Sequence, residues 1–117
     1  MTAEELEDLK IRLQEFADER DWDQFHNPKN LSMALIAEAA ELVEHFQWLS
    51  QEESQIIQGD KLESVRHELA DIMIYLIRIA DKLNVDLLDA VEKKITINEE
   101  KYPADMVMGQ HKKYTEY

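Results

Sequence analysis

The chain has 117 residues, 13 basic against 26 acidic, for a formal net charge of −13, and it contains no cysteine. That length fits one domain. The charge repels a nucleic-acid backbone and favours cations, and the composition excludes disulfides, thiolate metal sites and a cysteine nucleophile. With only two glycines, Gly59 and Gly109, neither a P-loop nor a dinucleotide fingerprint can form.

Apolar residues recurring at three and four predict an all-α chain, read as one domain over 1–117. The first helix carries the stripe Leu6, Leu9, Leu13, Phe16 and Ala17 and ends near Asp21. An aromatic-rich segment follows, Asp21 to Pro28. Pro28 disfavours helix at Asn27, and Asn30 is the expected cap of a second helix over about Leu31 to Trp48. Ser50 caps a short turn over Gln51 to Gln58, with Gly59 as its stop. A third helix covers about Leu62 to Leu83, with Asn84 at its end. Asp86 caps a fourth, from Leu87 to about Tyr102, which Pro103 closes. The tail, 104–117, has no period and is expected to be partly disordered or pinned to a neighbour. The acidic start, Met1 to Lys10, does not read as an export signal. The longest apolar run, Ile72 to Ile77, is far short of the ~20 residues a bilayer requires. A cytoplasmic protein with no membrane and no nucleic-acid partner is expected.

The acids fall in informative places. On the second helix, Glu38 and Glu41 lie inside the stripe of Leu31, Ala34, Leu35, Leu42, Phe46 and Leu49. On the third, Glu68 and Asp71 flank the stripe of Leu62, Val65, Leu69, Ile72, Leu76 and Leu83, with Tyr75 a turn later. An ionised carboxylate on an apolar face requires a cation or a proton. One such acid would be read as an ion pair across the bundle, but two pairs on facing helices can set four carboxylates around one cavity. Oxygen-only ligands select Mg²⁺ or Mn²⁺ over zinc. On the fourth helix Lys94, Asn98 and Lys101 share the side of Leu87 and Val91, with Tyr102 adjacent. They either snorkel past apolar stems or meet phosphate oxygens. Trp22, Phe25, His26 and Trp48 stand near helix ends, where aromatic faces stack on bases or plug the bundle; plugging is the expectation for Phe25. Glu-x-x-His, the mark of di-iron bundles, is absent, and His67-Glu68-Leu69-Ala70-Asp71 lacks the second histidine of a zinc protease. His45 and His111 read as surface or packing residues.

Glu38-x-x-Glu41, a spacer over 42–67, then Glu68-x-x-Asp71 resembles the metal signature of the MazG-like nucleotide pyrophosphohydrolases, and in particular the dCTP pyrophosphatase branch. The resemblance extends through Phe16-Ala17-x-Glu19-Arg20-Asp21-Trp22-Asp23-Gln24-Phe25-His26 and Glu41-Leu42-x-Glu44-x-Phe46-Gln47-Trp48. It continues in Tyr75-Leu76, Val85-Asp86-Leu87, Ala90-Val91-x-x-Lys94, Asn98, Lys101-Tyr102-Pro103 and Lys113-Tyr114-Thr115-Glu116. Ala39-Ala40 stands where the branch often has valine-glycine, and His45 where it often has leucine; neither is expected to touch a ligand position.

The resemblance implies a four-helix-bundle-type fold completed by oligomerisation. It implies Mg²⁺ on Glu38, Glu41, Glu68 and Asp71, and a base flanked by Trp22 and Trp48 with His26 nearby. Tyr75, Lys94, Asn98 and Tyr102 match positions that contact sugar and phosphates. The implied reaction splits a (deoxy)nucleoside triphosphate into monophosphate and pyrophosphate, as housekeeping of the nucleotide pool. Glu41 or Glu38 would take the water proton, and Lys94 and Lys101 would steady the leaving pyrophosphate. The alternatives are a dUTPase-like or phosphoribosyl-ATP hydrolase-like enzyme on a similar bundle, or a non-catalytic helical interaction module. Ile74 and Ile77 are expected to point away from the main stripe and to be covered by a second subunit. The family points the same way, to a dimer-based homotetramer in which Trp22 or Lys113-Tyr114 completes a neighbour's pocket.

Overall fold

A computed structural model describes residues 1–110 and Thr115. In order these are α1 (Ala3–Glu19), a 3-10 turn (Asp23–Phe25), α2 (Pro28–Glu44), one-turn α3 (Gln51–Ser54), α4 (Gly59–Lys82), α5 (Leu87–Lys101) and one-turn α6 (Ala104–Val107). The described residues hold no strand, so the fold is all-α. The chain divides into two compact units, Met1–Val85 and Asp86–Tyr117.

In the first unit the helix starts follow local chemistry. Thr2 and Ser50 each accept from the backbone N–H three residues on, and Glu5 and Glu53 return the bond, which makes two capping boxes. Asn27, not Asn30, caps α2: its side chain accepts from the N–H of Asn30 at 2.9 Å. Pro28 then occupies the first helical position, where its missing N–H and fixed φ cost nothing. The helix therefore begins three residues earlier than the sequence predicts. It also ends earlier, at Glu44, and His45 to Leu49 form turns. Gly59 does not stop a helix but opens α4, its φ of +67° supplying the bend between the preceding turn and the helix.

Helices α1 and α4 end alike. Trp22 N–H reaches the carbonyl of Ala17 and Asp21 N–H that of Asp18; Val85 reaches Ala80 and Asn84 reaches Asp81. These are Schellman motifs, and their left-handed residues are Asp21 and Asn84, both at φ 55°.

Helix α4 packs on α2 and on α1. The core is Leu6, Ala17, Leu31, Val65, Ile77 and Ala80, each large side chain contributing about 1.5–3 kcal/mol by burial. Ile77 is thus inside, at 2 % exposure, not on an outer face. Helix α1 crosses α4 there, and Leu9, Leu13 and Phe16 line one groove with Ile77, Ile74 and Met73. Conversely Leu69, Leu76 and Leu83, expected on the core stripe, are exposed, because α1 and α2 cover other sides of α4. Phe25 is exposed too and plugs nothing.

In the second unit Asp86 caps α5 by accepting from the N–H of Asp89 at 3.0 Å. The helix ends just before Pro103, as its spacing predicts. Residues 89–101 are all exposed, so Lys94, Asn98 and Lys101 face water in the single chain, as does Val91, instead of pointing inward. A lone helix in so small a unit has too few partners to bury them. Tyr102 is half-buried. The predicted tail contains α6. His111, Lys113, Tyr114 and Glu116 lie outside the described residues.

Candidate active site

Two helices bring the acids together. Ligand oxygens of Glu38 and Glu41 on α2 and Glu68 on α4 all lie within 4.8 Å of one another. Glu38 is half-buried, and its Oε2 is sealed from solvent with no hydrogen-bond partner among the described residues. Glu41 is exposed, so the pair is not buried together as the stripe predicts, but its carboxylate still joins the group. Burial pushes the Glu38 carboxyl up from its ordinary value, and Glu41, first by a shared hydrogen bond and then by its charge, pushes further, as do Asp71 and Glu68. Either a shared proton or a cation reconciles such a group. The hardness and number of the oxygens fit a divalent metal.

Asp71 is not among the three close carboxylates, yet Glu38 feels its charge. It lines a cavity of about 320 Å³ together with Leu13, Phe16, Trp22, His26, Ile74, Tyr75 and Arg78. Burial, then the charges of Glu38, Asp71 and Glu41, raise the Tyr75 hydroxyl above its ordinary value. It therefore stays a neutral donor at neutral pH. Trp22 sits at the end of the α1 Schellman turn, edge-on to Phe16 with ring centroids 5.8 Å apart. Trp48, in the turn after α2, is 87 % exposed and does not line this cavity. The two tryptophans expected to sandwich a base are not brought together within the single chain.

His45 is not a bystander. Its Nε2 lies 2.8 Å from Glu68 Oε2, because α2 ends at Glu44 and the turn directs the ring towards α4. It therefore touches one of the predicted metal ligands, contrary to expectation. His45 and Glu68 also line a second cavity of about 410 Å³ with Asp60, Glu63, Ser64 and His67.

The sequence reading missed a cationic anchor. Arg78, 2 % exposed, donates to Gln14 Oε1 at 2.7 Å and to Asp23 Oδ1 at 3.2 Å, and lies 3.2 Å from His26 Nδ1. Lys82 donates to the same Asp23 oxygen at 2.5 Å. Hydrogen bonds from Gln14 and Lys82, and then from Arg78, hold the Asp23 carboxyl well below the usual carboxylate range, outweighing its desolvation. The available signal was spacing: Asp71, Tyr75, Arg78 and Lys82 share one line on a helix that advances roughly 100° per residue.

Residues 34–117 match the model of the MazG-like family. The chain is 43% identical over 113 residues to dCTP pyrophosphatase 1 of Rattus norvegicus and equally to that of Homo sapiens. Those matches cover 95% of this chain and 66% of each relative, so the chain spans just under two thirds of their length. A crystal structure of a pyrophosphatase from Archaeoglobus fulgidus superposes with a TM-score of 0.77 at 38% identity, over 88% of this chain and 96% of that one. The protein belongs to the MazG-like family.

Proposed function

We propose that the chain is a metal-dependent nucleoside triphosphate pyrophosphohydrolase acting on dCTP or a modified dNTP, giving the monophosphate and pyrophosphate. The observation that carries this is the group of three carboxylates within 4.8 Å, one with a donorless buried oxygen, beside a cavity lined by Trp22, Tyr75 and Asp71. The similarity to enzymes named dCTP pyrophosphatase supports the substrate.

Glu38, Glu41, Glu68 and Asp71 would hold Mg²⁺, with Mn²⁺ as a substitute. The bound ion supplies neutralisation of phosphoryl charge and a more acidic water. Water attacks the α-phosphorus, the bond from that phosphorus to the bridging oxygen breaks, and pyrophosphate leaves. Glu38 or Glu41 takes the water proton. Trp22 and Trp48 offer aromatic faces to the base, and His26 and Tyr75 offer polar atoms beside it. Lys94, Asn98, Lys101 and Tyr102 are assigned to the sugar and phosphates from the family pattern, with the lysines stabilising the departing charge.

A dimer-based homotetramer is supported by the apolar surface one chain leaves open. That surface includes Met33, Ile36 and Val43 on α2 and Leu69 and Met73 on α4. No described helix is long and apolar enough to cross a membrane. A cytoplasmic location is in keeping with the cysteine-free composition.

The test is product analysis over all common and modified triphosphates with Mg²⁺. Monophosphate and pyrophosphate in equal amounts are expected. Release of inorganic phosphate alone, or full turnover in excess chelator, would reject the reading.

A further inference from the structure

The anchor around Arg78 is costly to keep. A buried guanidinium loses its hydration, and here its Nε has no acceptor among the described residues. An apolar side chain of similar volume would fill the space with a smaller desolvation penalty. What it could not do is donate. Arg78 spends its donors on α1 through Gln14 and on the 3-10 turn and its cap through Asp23 and His26.

The bond to His26 has a chemical consequence. A guanidinium has no acceptor, so Arg78 must be the donor and Nδ1 the acceptor. A neutral imidazole with Nδ1 as acceptor carries its proton on Nε2. Burial, then the charge of Arg78, lowers the ring's basicity, opposed by Asp23 and aided by Lys82. Those three charges, with Asp71 and Tyr75 across the same cavity, are the titratable groups around it. Nε2 has no hydrogen-bond partner among the described residues, and the ring lines the cavity with Trp22.

We propose that Arg78 is a positioning residue that fixes the tautomer of His26, so that Nε2–H offers the cavity one permanent donor for an acceptor atom on a nucleobase edge, such as a pyrimidine carbonyl. The assignment of that acceptor to a base rests on the function proposed above; the ring geometry does not. A donor locked in one tautomer discriminates between base edges, whereas a ring free to exchange its proton accepts either kind.

The experiment begins with ¹⁵N spectra of the histidine rings in the free wild-type protein. His26 is expected as a single Nε2–H tautomer at neutral pH. An Nδ1–H ring or an exchanging mixture overturns the proposal, and this measurement needs no variant. Arg78→Met should then release the ring into a mixture and raise its titration point. It should also weaken binding of the non-hydrolysable α,β-methylene analogue of dCTP roughly tenfold, while tripolyphosphate binds as before. Arg78→Lys, which keeps a donor, should recover part of the affinity. Parallel loss of tripolyphosphate binding, or an unchanged tautomer and affinity in Arg78→Met, would show that Arg78 only holds the fold. A wild-type protein that cleaves no triphosphate would count against the proposed reaction, while the spectrum alone decides the tautomer.

Discussion

Asp23 and Glu38 are both carboxylates beside α4, and their surroundings drive them in opposite directions. Asp23 sits among donors: an amide, an ammonium and a guanidinium hold it ionised far into acid. Glu38 sits among its own kind, and burial with three neighbouring acids pushes its carboxyl above the ordinary value. The first cluster pairs its charges and ties α1, the 3-10 turn and α4 into one body. The second gathers carboxylates, and one buried oxygen in it has no hydrogen-bond partner among the described residues. One helix carries both conditions, Arg78 and Lys82 towards one end and Glu68 towards the other. A cluster of paired charges is an anchor, and a cluster of like charges is where a cation would be held.

The strongest way to break the contrast is to remove an acid. Glu41→Ala or Asp71→Ala should lower turnover by about a hundredfold or more, with helicity by circular dichroism unchanged. Retained activity would mean that these acids are ion-pair residues only. Next in size is the response to metal. Mg²⁺ at about a hundred times its dissociation constant should stabilise the fold by about 2.7 kcal/mol, read as a rise in Tm. In chelator the sign reverses for the acids themselves. The Glu38 carboxyl is raised in the fold, so the native state binds its proton more tightly. Its penalty is full above the folded value and vanishes below the ordinary 4.5. Glu38→Gln should therefore raise Tm at pH 7 without metal, and the gain should fade as the pH falls through that range.

Asp23 should behave in the mirror image. Its folded value is depressed, so its stabilisation is full above the ordinary 3.8 and is lost as the pH falls below it. Asp23→Asn should lower Tm by several degrees at pH 7, and the difference from wild type should shrink in acid. An equal deficit at pH 2.5 and pH 7, measured by urea unfolding, would refute the ionic account. The smallest effects separate the tryptophans. Trp22→Ala and Trp48→Ala should each weaken nucleotide binding by about 1–3 kcal/mol. Only Trp22→Ala should also lower Tm, because Trp22 packs on Phe16 and Trp48 is almost fully exposed.

What could be read in advance follows from range. The four long helices and the acid pairs are periodic features, and periodicity is local. The cap of α5 and the left-handed end of α4 at Asn84 are local as well. Errors enter where neighbours compete: Asn27 and Asn30 are both fair caps, and Pro28 at the first helical position decides for Asn27. The outer line of α4 does not follow from the pattern, because Leu69, Leu76 and Ile77 are equally apolar and only the crossing of α1 selects Ile77 for burial. Spacing places Arg78 on the line of Asp71 and Tyr75, but not its partners, because Gln14 and Asp23 lie 64 and 55 residues away. His45 reads as a surface or packing residue because nothing local reveals that α2 stops one residue before it.

The single line of Asp71, Tyr75, Arg78 and Lys82 on α4 also constrains how such a gene can change. One residue inserted or deleted between Asp71 and Arg78 would turn everything beyond it by roughly 100°. Arg78 and Lys82 would swing away from Asp23, and the cavity would lose a wall. This stretch can therefore vary only by replacement, never by length. The connections at 47–50 and 55–58 join helices without sharing that phase, and length variation between related chains should collect there.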